Sequence, residues 1–252
     1  MIELWHLPLL FATGLVAGFV DSIAGGGGLI TLPVLLSFGV APQPALGTNK
    51  LQAAFGSGSA AWHYARAGTV DLKDCPRGFV LSLAGAALGT LTVQQLEPDF
   101  LRRAIPILLA AVAMYSLLHP QLGVADAHPR MPRAAFDVAF GLSIGFYDGF
   151  FGPGTGTFWT MAFMLGIGFN LTKATGYTKV MNFASNVSSL AFFLLMGQIL
   201  FLAGLVMGIG QLFGARVGSR MVVRRGTRFI RPVFIAVVLA ITAKLFYAAY
   251  WN

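Results

Sequence analysis

Lys50 and Lys179 are the residues most able to do chemistry, because each is a lone cation set in apolar sequence, in ALGTNKLQ and ATGYTKVMN. A charge inside a bilayer points at protein or water, so two cations of this kind can receive a small anion in a shared cavity. The competing reading is that long lysine stems snorkel to the interface. Asn49 and Gln52 on one segment, and Thr178, Asn182 and Asn186 on the other, fall at helical spacing beside the lysines and bring donors suited to anion oxygens. Ser59, Ser185 and Ser189 continue these faces, where hydroxyls serve equally well to hold helices together.

Asp21 and Asp148 precede two glycine-rich stretches, Gly25 to Gly28 and Gly152 to Gly156. They can cap half-helices, pair with the lysines, or carry a proton if buried. Unwound backbone at Gly26, Gly27, Gly28, Gly154 and Thr155 would leave N–H groups at the start of a following half-helix, whose positive dipole end favours anions.

These residues need particular elements to carry them. Apolar segments run at about 7–39, 45–65, 78–95, 101–118, 134–168, 174–196, 198–218 and 229–250. Six have roughly the 20 residues that a spanning helix needs. The first and fifth are longer and carry glycine runs in their middles, the pattern of a broken or re-entrant helix lining an enclosed cavity. On this reading Lys50 and Lys179 lie about five residues into their helices, roughly 8 Å below the start.

The pattern occurs twice. An offset of 127 relates Asp21 to Asp148, Gly25 to Gly152 and Gly27 to Gly154, and an offset of 129 relates Gly47 to Gly176, Lys50 to Lys179 and Gly89 to Gly218. The expected fold is therefore an all-α polytopic membrane protein of two homologous four-segment halves, 1–120 and 134–252, with a polar linker at 121–133. The arginines at Arg216, Arg220, Arg224, Arg225, Arg228 and Arg231 place the loop before the last segment in the cytoplasm. If the broken segments re-enter, the basic loops at Arg66 to Arg77 and Arg130 to Arg133 join them there, and the halves are inverted; if they cross, those loops fall outside. The charge count favours re-entry, and both termini are external either way.

Composition excludes other classes. Of 252 residues, 56% are hydrophobic and 10% charged, against about 25% charged in soluble domains. The excess of basic residues lies between apolar runs, so no nucleic-acid partner is expected. Cys75 has no companion for a disulfide or metal, and His63, His119 and His128 show no metal-ligand spacing. No enzymatic nucleophile and base are assembled, no cofactor is expected, and no cleavable leader is evident. Glycines spaced four apart, Gly85 with Gly89 and Gly210 with Gly214 and Gly218, suit close helix packing. Trp5, Trp62, Tyr247, Tyr250 and Trp251 suit an interfacial belt.

GFVDSIAGGGGLITLP with ALGTNKLQ, and the second copy GFYDGFFGPGTGTF with ATGYTKVMN, resemble the TauE/SafE sulfite exporter family over nearly the whole chain. The resemblance implies a multi-pass inner-membrane transporter of small anions, often sulfur-containing, coupled to the proton gradient. It carries over to Asp21, Gly25 to Gly28, Gly47, Thr48, Asn49 and Lys50, and to Asp148, Gly152, Gly154, Thr178, Lys179 and Asn182. Pro153 and Tyr177 depart from the first copy. An anion channel and a carrier of non-sulfur carboxylates are the alternatives.

Overall fold

The computed structural model describes residues 4–101, 103–105, 107–108, 111 and 126–225, and these are helical and without strands. The expected segments at 101–118, for the most part, and at 229–250 lie outside the described residues, as do His119, Arg228 and Arg231. The helices are α1 (Leu7–Ala24), α2 (Gly27–Ser37), α3 (Pro42–Arg66), α4 (Pro76–Gln94), α5 (Arg133–Phe150), α6 (Thr155–Ala162), α7 (Leu171–Leu195) and α8 (Phe201–Arg225). A π-helical turn, Phe163–Ile167, extends α6.

Among the described residues, three stretches are long and apolar enough to cross a membrane: Leu4–Ala24, Pro76–Gln94 and Phe201–Arg225. The helices α3 and α7 are as long, at 25 residues each, but carry polar inner faces. Both begin three residues earlier than the apolar pattern suggests. Proline fits the first turn of α3, and the Asn170 side chain accepts from the Lys173 amide to cap α7. Lys50 and Lys179 are thus nine positions in, roughly 12 Å from the helix start rather than 8 Å.

Both long apolar segments are broken where the glycines fall. The first α-helix ends on Gly25, whose φ of 81° lies in the left-handed region, and α5 ends before Gly152 at 96° and Gly154 at 82°. Each break folds its segment back on itself. His6, before α1, meets Phe38, after α2, with ring centroids 4.5 Å apart and the rings tilted. At the base of the other hairpin Phe136 meets Phe163 at 4.9 Å, and the Arg130 amide donates to Gly166 O.

Contacts along the helices give their directions. Gly14 of α1 lies on Met207 of α8, Gly18 on Gln211 and Gly218 on Ser22, so α1 and α8 run parallel. Gly145 of α5 meets Ser82 of α4, and Gly149 meets Ala86, which makes that pair parallel too. These are backbone contacts that a Cβ would block, and they place the four-spaced glycines where helices approach most closely. By contrast α3 and α7 cross antiparallel, since Gly47 meets Phe193 while Gly176 meets Tyr64. The offset of 129 converts each of these last contacts into the other. Helices from before and after the stretch 121–133 are therefore interleaved: α1 packs on α8, α4 on α5, and α3 with α7 forms the centre.

The breaks themselves meet at this centre. Gly25 packs directly against Gly156, Gly28 against Pro153, and the Thr157 hydroxyl donates to Ala24 O at 3.2 Å. Ala at position 25 would combine left-handed strain with a backbone clash, whereas Gly39, also at positive φ, has open space around its α-carbon. Gly39→Ala should cost about 1 kcal/mol, the left-handed strain alone, and Gly25→Ala about 3 kcal/mol or more. Thermal unfolding of the two variants in detergent checks the difference; equal midpoints would contradict the close crossing.

Candidate functional site

Lys50 and Lys179 do not snorkel. Their exposures are 1% and 0%, and each ammonium group is held by a carboxylate. Lys50 Nζ lies 2.6 Å from Asp148 Oδ1 and also donates to the Asp148 carbonyl. Lys179 Nζ lies 2.9 Å from Asp21 Oδ2. Each lysine is on a long central helix, and its partner is the aspartate of the other hairpin. The pairing is reciprocal under the offsets of 127 and 129.

The hairpin geometry is what permits this exchange. Asp21 and Asp148 sit one turn before the breaks, at the inner ends of α1 and α5. Because α1 packs on α8 and α4 on α5, each inner end is delivered against the lysine of the opposite central helix. An ion pair out of water needs its remaining hydrogen-bond sites filled if attraction is to offset desolvation. For Asp148 this is met by the Ser185 hydroxyl, which donates to Oδ2. Asp21 instead accepts the Gly27 amide on Oδ1 at 3.3 Å, joining the carboxylate to the start of α2. The side chain of Asp21 is 19% exposed against 4% for Asp148, so the two pairs differ in access.

The other expected residues divide. Asn49 Oδ1 accepts from the Thr31 hydroxyl and from Gln52 Nε2, forming a buried knot between α2 and α3. Gln52 Oε1 has no partner among the described residues. Thr178 and Thr160 hydroxyls lie 3.1 Å apart. Asn186 donates to Ser57 at 3.3 Å across the central crossing, and Asn182 Oδ1 is buried and unpartnered among the described residues. Thr48 is used elsewhere: its hydroxyl accepts the Leu200 amide, just as the Tyr177 hydroxyl accepts the Asp71 amide at the opposite end.

Part of the glycine-break expectation is altered by the closed backbone. The Gly25 amide donates to Asp21 O, Gly27 to Asp21 Oδ1, Thr155 to Gly152 O and Thr157 to Gly154 O. The Thr155 hydroxyl also turns back, to Gly152 O at 2.6 Å. Gly26 and Gly154 stand just ahead of the half-helices, as the N-caps of α2 and α6. Gly28 lies in the first turn of α2, where helix amides lack intrahelical partners. Thr31 and Thr160 were not singled out from sequence, since single threonines in apolar runs carry no spacing signal. Ser185 was visible as part of a polar face, but its carboxylate partner was not.

Comparison with known proteins gives the chain's family. Residues 10–245 match the family described as sulfite exporter TauE/SafE. The chain is 46% identical over 239 residues to "Probable membrane transporter protein ORF9" of Sinorhizobium sp., covering 95% of this chain and 92% of the relative. It is 44% identical over 247 residues to "Probable membrane transporter protein YfcA" of Escherichia coli K12, covering 98% and 92%. A "Probable membrane transporter protein" of Haemophilus influenzae is 44% identical over 245 residues, covering 97% and 96%. No solved structure matches the chain. The chain belongs to the TauE/SafE family of membrane transporters.

Exchange of partners has a measurable consequence. Removing one member of a buried pair leaves an uncompensated charge, which costs about 3–5 kcal/mol. Lys50→Met should be strongly destabilised and Lys50→Met/Asp148→Asn largely restored, while Lys50→Met/Asp21→Asn should be no better than the sum of its parts. Unfolding free energies of these variants in mixed micelles test the pairing, and rescue by Asp21→Asn instead of Asp148→Asn would refute it.

Proposed function

We propose that the protein is a secondary transporter that moves a small anion, sulfur-containing as in sulfite or a sulfonate, across the bacterial inner membrane with proton coupling. The reading rests on one observation: two fully buried lysines, on equivalent central helices, are each neutralised by a carboxylate of the opposite hairpin. An arriving anion competes with the carboxylate for the ammonium group. The displaced Asp21 or Asp148, no longer paired, becomes the group that takes a proton.

Binding in this scheme involves Lys50 and Lys179, with Asn49, Gln52, Thr178, Asn182 and Asn186 as neutral donors on the same inner faces. The amides at the starts of α2 and α6, next to Gly26, Gly27, Gly28, Gly154 and Thr155, add dipole attraction once the hairpins loosen. Thr48 is left out, because its hydroxyl is engaged at the Leu200 amide.

The architecture we infer is a pair of inverted repeats, 1–120 and 134–252, whose first segments re-enter from opposite faces. Parallel packing of α1 with α8 and of α4 with α5, and the antiparallel crossing of α3 with α7, support it. Charge supports an orientation. The ends of α3 and α8 and the starts of α4, α5 and α7 gather Arg66, Lys73, Arg77, Arg130, Arg133, Lys173, Arg224 and Arg225, while at the opposite end Arg103 is the basic residue among those described. The basic end is cytoplasmic by the positive-inside rule, which leaves the N-terminus external.

Purified protein in proteoliposomes should move sulfite or a sulfonate saturably, at a rate that responds to an imposed pH gradient. Lys50→Met/Asp148→Asn should keep its unfolding midpoint but lose transport by at least tenfold. Normal transport by that variant would overturn the cationic site. Non-saturating flux indifferent to the pH gradient would favour an anion channel.

A further inference from the structure

One groove plays no part in the ion-pair site. It lies between the end of α3, the turn Leu72–Asp74, the start of α4 and the middle of α7, with a volume of about 460 Å³. Its walls are apolar, built by Ala61, Trp62, Ala65, Phe79, Val180 and Phe183. Trp62 is 64% exposed although it is the largest side chain of the wall.

The rim of this groove is basic. Arg66 is one turn beyond Trp62, and its guanidinium carbon lies 5.8 Å from the Trp62 ring centroid. Lys73 follows the wall residue Leu72 and Arg77 follows Pro76; all three basic side chains are exposed. The turn also carries Asp71 and Asp74, which accept from the Lys73 amide and the Tyr177 hydroxyl, so the three basic residues outnumber the two carboxylates. At the opposite end of the molecule, the offset of 129 puts Leu195, Leu202 and Val206 in place of Arg66, Lys73 and Arg77. The basic rim thus belongs to one end of the protein, the end where the other arginines gather.

We propose that this groove binds an anionic phospholipid, with an acyl chain along Trp62 and Phe79 and the phosphate among Arg66, Lys73 and Arg77. An apolar trough bordered by exposed cations matches a molecule that is apolar along its chains and anionic at its head. Basic residues beside membrane helices attract anionic lipid headgroups in the same manner. The site uses neither lysine of the transport reading; it shares with that reading the membrane setting and the leaflet in which the lipid resides.

Native mass spectrometry of the detergent-purified chain, offered phosphatidylglycerol and phosphatidylcholine at equal concentration, tests the proposal. Phosphatidylglycerol adducts should be retained several-fold over phosphatidylcholine. Arg66→Gln/Lys73→Gln/Arg77→Gln should erase that preference, and Ala61→Phe, which fills the trough, should lower retention of both lipids. Equal retention by the unaltered chain, or a preference that survives the triple substitution, overturns the proposal. Glycerol phosphate displacing the lipid as well as phosphatidylglycerol does would indicate a free-anion site and overturn it too. A mass corresponding to two chains without lipid would mean that a second copy covers the groove, with the same consequence. Because the readout is lipid retention, failure here leaves the anion-transport reading standing.

Discussion

An ammonium group held away from water has to meet an opposite charge, and in this protein each of two such groups meets the carboxylate of the other hairpin. Much of the architecture follows from that exchange. The breaks at Gly25 and Gly152 set Asp21 and Asp148 at the inner ends of their half-helices, within reach of these lysines. The stop leaves aspartate at the inner end of one half-helix and glycine-rich backbone at the start of the next. The two stops must also pass each other closely enough to share the centre, and contact between Gly25 and Gly156 allows this.

Interleaving of the helices is the second condition. Packing of α1 on α8 and of α4 on α5 accompanies the long-range pairing of Asp21 with Lys179 and of Asp148 with Lys50. The contacts of Gly14 and Gly18 with α8, and of Gly145 and Gly149 with α4, fix this packing. Small residues allow backbone approach and give helix association in lipid a van der Waals basis, since apolar burial contributes little there. The same glycines therefore serve packing and, through it, charge neutralisation.

Much of this was legible in the sequence, for physical reasons. A glycine run within an apolar stretch longer than one span has few outcomes other than a break, and lysines recurring at one offset in apolar surroundings are improbable unless buried. Partner choice was not legible. Lys50 is 29 positions from Asp21 and 98 from Asp148, and spacing offers no reason to prefer the distant one. Nor did type disclose that Thr48 and Tyr177, at equivalent positions, both brace the linker beyond the opposite central helix, since one is small and the other aromatic. The helix starts were misjudged because Pro42 and Asn170 begin helices ahead of the apolar run.

The two ion pairs are equivalent by position and unequal in surroundings. Ser185, which occupies Asp148 Oδ2, has Gly56 as its counterpart, where the Gln211 side chain packs instead of a hydroxyl. Asp21 consequently lacks that donor and takes the Gly27 amide. Opening the Lys50 pair strands a carboxylate amid groups arranged for it and releases no helix end. The Lys179 pair has its carboxylate tied to the start of α2 through the Gly27 amide, in the place where the carboxylate is more exposed. Since a stranded buried charge costs several kcal/mol, the pair whose carboxylate is better reached by solvent opens more readily. In the transport reading proposed above, the Asp21 and Lys179 pair is therefore the one expected to open first.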